Sequence, residues 1–275
     1  MVDFHMHSIF SDGTDNIEEL LLKTKDLSYF SITDHDTIEA YEYIIKNGLD
    51  KPNYIPGVEL STRDNGDSVH ILFYNYDSNC NTLKEVIKEI DDNRKKRLEE
   101  RINILKDNYD IKFEKEDLDY LYSLNNPTKP NIAKILVKNN YSISVDEAIK
   151  VFLYHKLTTK KVESEYVLDK LKNEKGILIL AHPLGGIGEV RIDRDKFVDR
   201  LNRFINHGLK GLECIYSLYD KEEQDYLLNL AKENNLIISG GSDYHGKNKK
   251  VSIGELSKDN NTNYLAINLM EYIKR

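Results

Sequence analysis

Along the first seven residues apolar and polar positions alternate. Val2, Phe4 and Met6 face one way and Asp3, His5 and His7 the other, the period of a β-strand. Short apolar runs at 28–33, 53–58, 69–75, 176–181, 210–216 and 236–240 predict further strands. Apolar residues at helical spacing predict helices at 16–26, 37–47, 83–106, 132–140, 146–153, 163–173, 195–206 and 220–234. Strand followed by helix, repeated, calls for parallel strands joined by helical crossovers, hence an α/β layer or barrel. The rhythm breaks between about 91 and 160, a helical and loop-like stretch containing the run NNPTKPN. The expected organisation is therefore a main domain of residues 1–90 and 160–275. A helical insertion, 91–159, separates a hairpin-like segment (53–75) from the strand that starts near Gly176.

The strand ends carry the candidate chemistry. His5 and His7 (DFHMHS), His35 (TDHD), Glu59 (PGVE), His182 (AHP), and Asp243 and His245 (GSDYH) stand at or just beyond the ends of predicted strands. Asp12 (SDG) follows the first, and His70 (SVHILFY) opens one instead. A spacing of two places the His5 and His7 imidazoles about 6–7 Å apart on one face, close enough to converge on one ion. A lone strand-end histidine is more often a hydrogen-bonded structural residue. Nine such donors on seven predicted strands are hard to explain that way. Six imidazoles with three carboxylates and no thiolate suit Zn, Mn or Fe rather than Ca or Mg. Nine ligands exceed the coordination of one ion, so two or three are expected, bridged by a carboxylate such as Glu59 or Asp243. Clustered divalent ions activate water and clamp the oxygens of a phosphoryl displacement, so phosphoester hydrolysis by a metal-bound hydroxide is the expected reaction.

Composition narrows the setting. A hydrophobic share of 40%, a charged share of 31% and no apolar run near 18 residues argue against a membrane span. With the first motif at Asp3 and no room for a leader, a cytoplasmic location is expected. Cys80 and Cys214 lack the paired spacing of a zinc knuckle and read as buried or idle thiols. The formal charge of −8 disfavours long-range attraction of a polyanion. Bound divalent ions would offset most of it and admit an anionic substrate.

The motifs DFHMHSIFSDG, TDHDT, PGVELS, His70, AHP and GSDYHG, in this order, resemble the polymerase-and-histidinol-phosphatase (PHP) family. The resemblance implies a distorted (β/α)7 barrel with a trinuclear site at the strand C-termini. By motif it places His5, His7, Glu59 and Asp243 at one ion, Glu59, His70 and His182 at a second, and Asp12, His35 and His245 at a third. It implies catalytic roles for Asp12, His35, Glu59 and His245. The inserted segment and the GSDYHG ending resemble the small-molecule branch of metal-dependent phosphoesterases, which includes nucleoside monophosphate and 3′,5′-bisphosphate phosphatases and relatives that trim RNA from the 5′ end. Where that branch usually shows Arg-Pro-His-Ile-Ala, this chain has Lys129, Pro130, Asn131, Ile132 and Ala133. Lysine keeps a positive charge but loses the bidentate fork, and asparagine cannot act as an acid.

On the helix from Leu83, Arg94 falls on the apolar stripe, with Arg97 and Arg101 beside it. Arg94, Arg97, Lys129 and Asn131 are the candidate substrate contacts. Lys95 and Lys96 fit a solvated face with i, i+4 ion pairs at least as well. His155 and His207 read as structural or surface residues, Glu213 as a support without an assigned role, and Tyr216, Tyr219 and Tyr244 chiefly as core. The leading expectation is a phosphomonoesterase on a small nucleotide. Next come a 5′-to-3′ exoribonuclease on short RNA, a histidinol phosphate phosphatase and a non-catalytic metal-binding module. No membrane and no obligatory protein partner are expected. Purified protein should carry two to three Mn, Fe or Zn ions per chain. Elemental analysis showing at most one after Mn reconstitution would remove the polynuclear reading.

Overall fold

The computed structural model describes residues 1–124, 127–186, 189–259 and 264–273. Among the described residues there are seven strands: β1 (Val2–Asp3), β2 (Tyr29–Phe30), β3 (Gly57–Asp64), β4 (Asp67–Tyr74), β5 (Ile177–Leu180), β6 (Gly211–Tyr216) and β7 (Ile237–Gly241). β3 to β7 form one sheet in chain order, and β1 pairs with β2. Backbone bonds beyond these ladders join the two sheets into a ring. On one side the Ile55 amide donates to the Phe30 carbonyl at 2.9 Å and the Asp36 amide to the Glu59 carbonyl at 2.9 Å. On the other the Phe4 amide donates to Gly240 at 3.1 Å, Asp243 to His5 at 2.8 Å and His7 to Tyr244 at 2.8 Å. The strands thus close as the distorted seven-stranded α/β barrel that the sequence pattern and the family resemblance imply. The distortion is β4, antiparallel to both β3 and β5.

That reversal corrects two expectations. His70 does not open its strand but is the fourth residue of β4, opposite Ser61. Since β4 runs against its neighbours, its beginning lies where theirs end. Glu59 likewise lies near the start of β3, not at the end of a strand over 53–58. Residues 54–55 pair with β2, Pro56 interrupts, and the run then continues as one arm of the β3–β4 hairpin.

Helices α1 (Ile17–Lys23) and α2 (Glu39–Lys46) follow the first two strands. Asn16 caps α1 in a reciprocal box with Glu19, satisfying amides that the first turn leaves open. Ile17, Leu20 and Ile44 from these helices pack with Phe30 of β2 and with Met6 and Ile32 just beyond β1 and β2, while Phe4 joins Leu72, Ile179 and Ile237 in a second cluster. Every residue from Asp3 to Ser8 is buried, so both faces of this first segment are covered, as a barrel wall requires.

Between β4 and β5 run α3 (Asn81–Tyr109), α4 (Lys115–Ser123), α5 (Lys129–Lys138), α6 (Val145–Val151) and α7 (Ser164–Leu171). Contacts divide the chain into a unit of residues 1–87 and 162–275 and another of residues 88–161. The second has its own apolar core, with Leu98 and Leu105 of α3 against Leu121, Ile132, Leu136 and Leu153. The remaining helices, α8 (Arg194–Asn206), α9 (Lys221–Glu233) and α10 (Leu269–Ile273), belong to the first unit. Helices α4 and α10, both short, carry no periodic apolar signal long enough to predict them. Among the described residues no helix is long and apolar enough to cross a membrane.

Gly241 fits at the seam because it lacks a side chain. A Cβ there would lie 2.2 Å from the His5 Cβ and 2.6 Å from its amide nitrogen. Gly241→Ala must push the first strand outward and should destabilise the fold by about 1–3 kcal/mol or more, read as a lowered urea midpoint. A variant as stable as the parent would mean that the seam is not tightly closed.

Candidate metal centre

The ring brings all nine predicted donors together. Glu59 stands in the middle, 1% exposed, and its two oxygens face different partners. Oε2 lies 3.1 Å from His5 Nε2, 3.1 Å from His7 Nε2 and 3.2 Å from His35 Nδ1. Oε1 lies 3.0 Å from His70 Nδ1 and 3.1 Å from His182 Nε2. Asp243 Oδ1 approaches His5 and His7 from the other side, at 3.7 and 3.4 Å. At the solvent edge Asp12, 45% exposed in its side chain, faces His245 Nε2 at 3.1 Å, His7 Nδ1 at 3.6 Å and His35 Nε2 at 3.9 Å. Candidate ion-holding groups are His5, His7, Glu59 and Asp243; His7, Asp12, His35 and His245; His35, Glu59 and His70; and His70, His182 and Glu189.

The chemistry of this set fits divalent ions. His5 Nε2, His7 Nε2, His35 Nδ1 and Glu59 Oε2 are buried and near one another, yet none has a hydrogen-bond partner. Their lone pairs converge on shared space instead of pairing, an arrangement costly for buried polar atoms unless a cation accepts them. Proton affinities agree. Burial works against a charged imidazole at His7, but Asp243 and Glu59 outweigh it and push His7 up to about 9. At His182 burial is likewise overcome, by Glu189 and Glu59, and the ring rises to about 10. Burial drives His35 down to about 3 against the pull of Glu59 and Asp12, with His7 deepening the fall. Despite its own burial, Glu59 is held well below the usual carboxylate range by His35, His5 and His70. The pocket demands positive charge, which protons supply unevenly and metal ions would supply where the donors converge.

A further layer orients the donors. Glu213 Oε1 lies 2.9 Å from His5 Nδ1, and its Oε2 accepts the His182 amide at 2.7 Å, so one buried carboxylate steadies two donor residues. Asp243 Oδ2 accepts from Tyr216 at 2.8 Å and Lys249 at 2.6 Å, leaving Oδ1 turned inward. Asp34 accepts from the Ser8 amide and hydroxyl and from Ser11, fixing the loop that carries Asp12. Asp243 and His182 have φ of 58° and 25°, left-handed values that side chains adopt at a cost of about 1–3 kcal/mol and that concentrate at functional sites.

The other singled-out residues have structural partners. Tyr219 OH accepts the Leu184 amide at 2.7 Å, Tyr244 donates to Asp15 at 2.7 Å, His155 pairs with Tyr109 at 2.7 Å, and His207 with Asp169 at 2.8 Å. Within the 88–161 unit, Arg97 donates to the Thr159 carbonyl and Arg101 to the Leu153 carbonyl at 3.3 Å. Asn131 Oδ1 accepts the Thr128 amide at 2.8 Å and its hydroxyl at 2.5 Å, which commits that oxygen to the start of α5. Arg94 also has interactions of its own. Glu189, beside His182, and Lys249, bonded to Asp243, do not end strands and so carry no periodic signal; the local signal for Glu189 is the Gly185–Gly186 pair just before it.

A closed ring of strands with His and carboxylate donors gathered at its centre defines a metal-dependent hydrolase. The PHP domain model matches residues 3–204, and the chain belongs to that family. It is a metal-dependent phosphoesterase. A curated relative from Escherichia coli, the 5′-3′ exoribonuclease Rnm, is 27% identical over 92% of this chain and 87% of its own length. Phosphoribosyl 1,2-cyclic phosphate 1,2-diphosphodiesterase of Eggerthella lenta is 24% identical over 90% of this chain and 95% of that protein. A crystal structure from Bifidobacterium adolescentis, assigned as a metal-dependent phosphoesterase, superposes with a TM-score of 0.70 at 26% identity over 98% of each chain. An amidohydrolase of Chromobacterium violaceum with bound sulfate shares the fold at a TM-score of 0.76 and 18% identity, covering 99% of this chain and 95% of its own.

If Glu213 orients His5, Glu213→Gln should weaken Mn binding about 10- to 100-fold while the fold persists. Chelator-competition titration gives the affinity, and a value equal to that of the parent would show that His5 keeps its pose without the carboxylate.

Proposed function

We propose that the chain hydrolyses nucleotide phosphoesters and that its first substrate class is short RNA attacked from the 5′ end. The division of Glu59 between two sets of imidazoles carries the hydrolytic part of this reading. A carboxylate so placed can hold two ions side by side, and divalent ions bound there supply Lewis-acid stabilisation of phosphoryl charge and an acidified water. His5, His7 and Asp243 are proposed to hold one ion with Glu59, His70 and His182 a second with Glu59, and Asp12, His35 and His245 a third. Asp12 and His245, facing each other where the centre meets solvent, are the groups proposed to pass a proton to the leaving oxygen.

The choice of RNA rests on the Escherichia coli relative, whose similarity extends over 92% of this chain. Cation placement in the 88–161 unit supports it. Burial lowers the proton affinity of the Lys129 ammonium, and Arg101 and Arg97 lower it further, so three cations gather where an anionic backbone would relieve their repulsion. Arg97 and Lys129, with Arg94 and the Asn131 amide, remain the proposed substrate contacts. The second reading is a phosphate monoester of a small nucleotide, such as a 3′,5′-bisphosphate. It is favoured by the Eggerthella lenta relative, named for a small cyclic phosphate, and by the formal charge of −8.

Mn-loaded protein offered a 5′-phosphorylated oligoribonucleotide, a 3′,5′-bisphosphate, a nucleoside monophosphate and histidinol phosphate should release mononucleotides stepwise from the RNA 5′ end. Turnover of the bisphosphate or monophosphate alone would establish the second reading. Glu59→Gln should lower the preferred activity several-hundred-fold or more with the barrel intact. Near-normal turnover with unchanged metal content would take Glu59 out of the reaction.

A further inference from the structure

The loop after β5 carries a donor outside the nine. His182 turns the chain at positive φ, the Gly185 amide donates back to the His182 carbonyl at 2.8 Å, and Gly186 lies against the imidazole. A Cβ on Gly186 would stand 3.0 Å from His182 Nδ1, closer than side chains ordinarily approach, so the glycine lets the chain pass over the ring without displacing it. The fold-back delivers Glu189, whose Oε2 accepts the Gly186 amide at 2.8 Å and lies 2.9 Å from His182 Nδ1. Its Oε1 is buried, has no hydrogen-bond partner and sits 3.8 Å from His70 Nδ1. His70 Nδ1 is itself 3.3 Å from His182 Nε2, and both face Glu59 Oε1.

We propose that Glu189 is a tenth ligand, its Oε1 completing the shell of the ion held by Glu59, His70 and His182 while its Oε2 holds the His182 ring. Three donors leave such an ion one short of the smallest common shell of four. The unpartnered oxygen beside His70 is the nearby group able to close it, and it is anionic, hard and already fixed by its twin. The two oxygens thus have separable duties, one binding and one positioning. The inference rests on the metal reading of the centre and extends it to a residue beyond the family motifs quoted above.

Glu189→Gln separates the duties, because a glutamine carbonyl can still accept from His182 Nδ1–H but offers no anionic second oxygen. Parent and variant, with matched thermal melts to confirm folding, are loaded with Mn, dialysed and compared by elemental analysis and chelator titration. The expected result is loss of one ion per chain from the variant, or a roughly 10- to 100-fold weaker affinity confined to one ion. Unchanged stoichiometry and affinity would overturn the assignment, as would equal weakening of every ion. A parent that takes up no ion would overturn the metal reading itself and this inference with it.

Discussion

A carboxylate buried to 1% exposure and facing five imidazoles sets the terms for the rest of the molecule. Glu59 could not keep its charge in such a place alone, since the desolvation of an isolated ion far exceeds what folding can tolerate. The imidazoles that surround it come from distant parts of the chain, so they can be held only by a scaffold in which many strand ends converge. A closed ring provides that convergence. The antiparallel β4 adds to it, delivering His70 from within a reversed strand to the same cluster that the parallel strands reach near their ends.

Most of this centre was legible in the chain because its donors occupy positions that strand periodicity marks. The i, i+2 pairs His5/His7 and Asp243/His245, and the strand-end residues His35 and His182, follow from alternation plus polarity. The hairpin was harder. Pro56 and the shift of pairing from β2 to β4 hid where β3 begins, and the direction of β4 depends on neighbours that no local pattern names. Glu189 lay beyond reach for another reason: it is placed by a glycine turn folding over a ring, a tertiary event with no periodic signature. Glu213 stood in view at a strand, but its duty emerged only when His5 and the His182 amide came to its two oxygens.

The layer behind the donors explains how so many buried polar groups coexist. Each donor with a documented outer contact is held by a group that cannot easily leave: Glu213 behind His5, Tyr216 and Lys249 behind Asp243, and the Asp243 carbonyl behind His245 Nδ1 at 2.8 Å. Such contacts fix which nitrogen of each ring turns inward and lower the entropy cost of gathering ions. The left-handed backbone at Asp243 and His182 persists for the same reason, because hydrogen bonds on either side over-determine it.

The seam between the first strand and residues 240–244 joins the two ends of the chain. Loop-closure entropy makes contacts of such sequence separation among the slowest to form. His5 and His7 are synthesised long before Asp243 and His245, so the cluster they form together exists only once that later segment has folded back against the first strand. The complete cluster of donors therefore marks a closed ring, and a chain that stops short of Asp243 cannot assemble it.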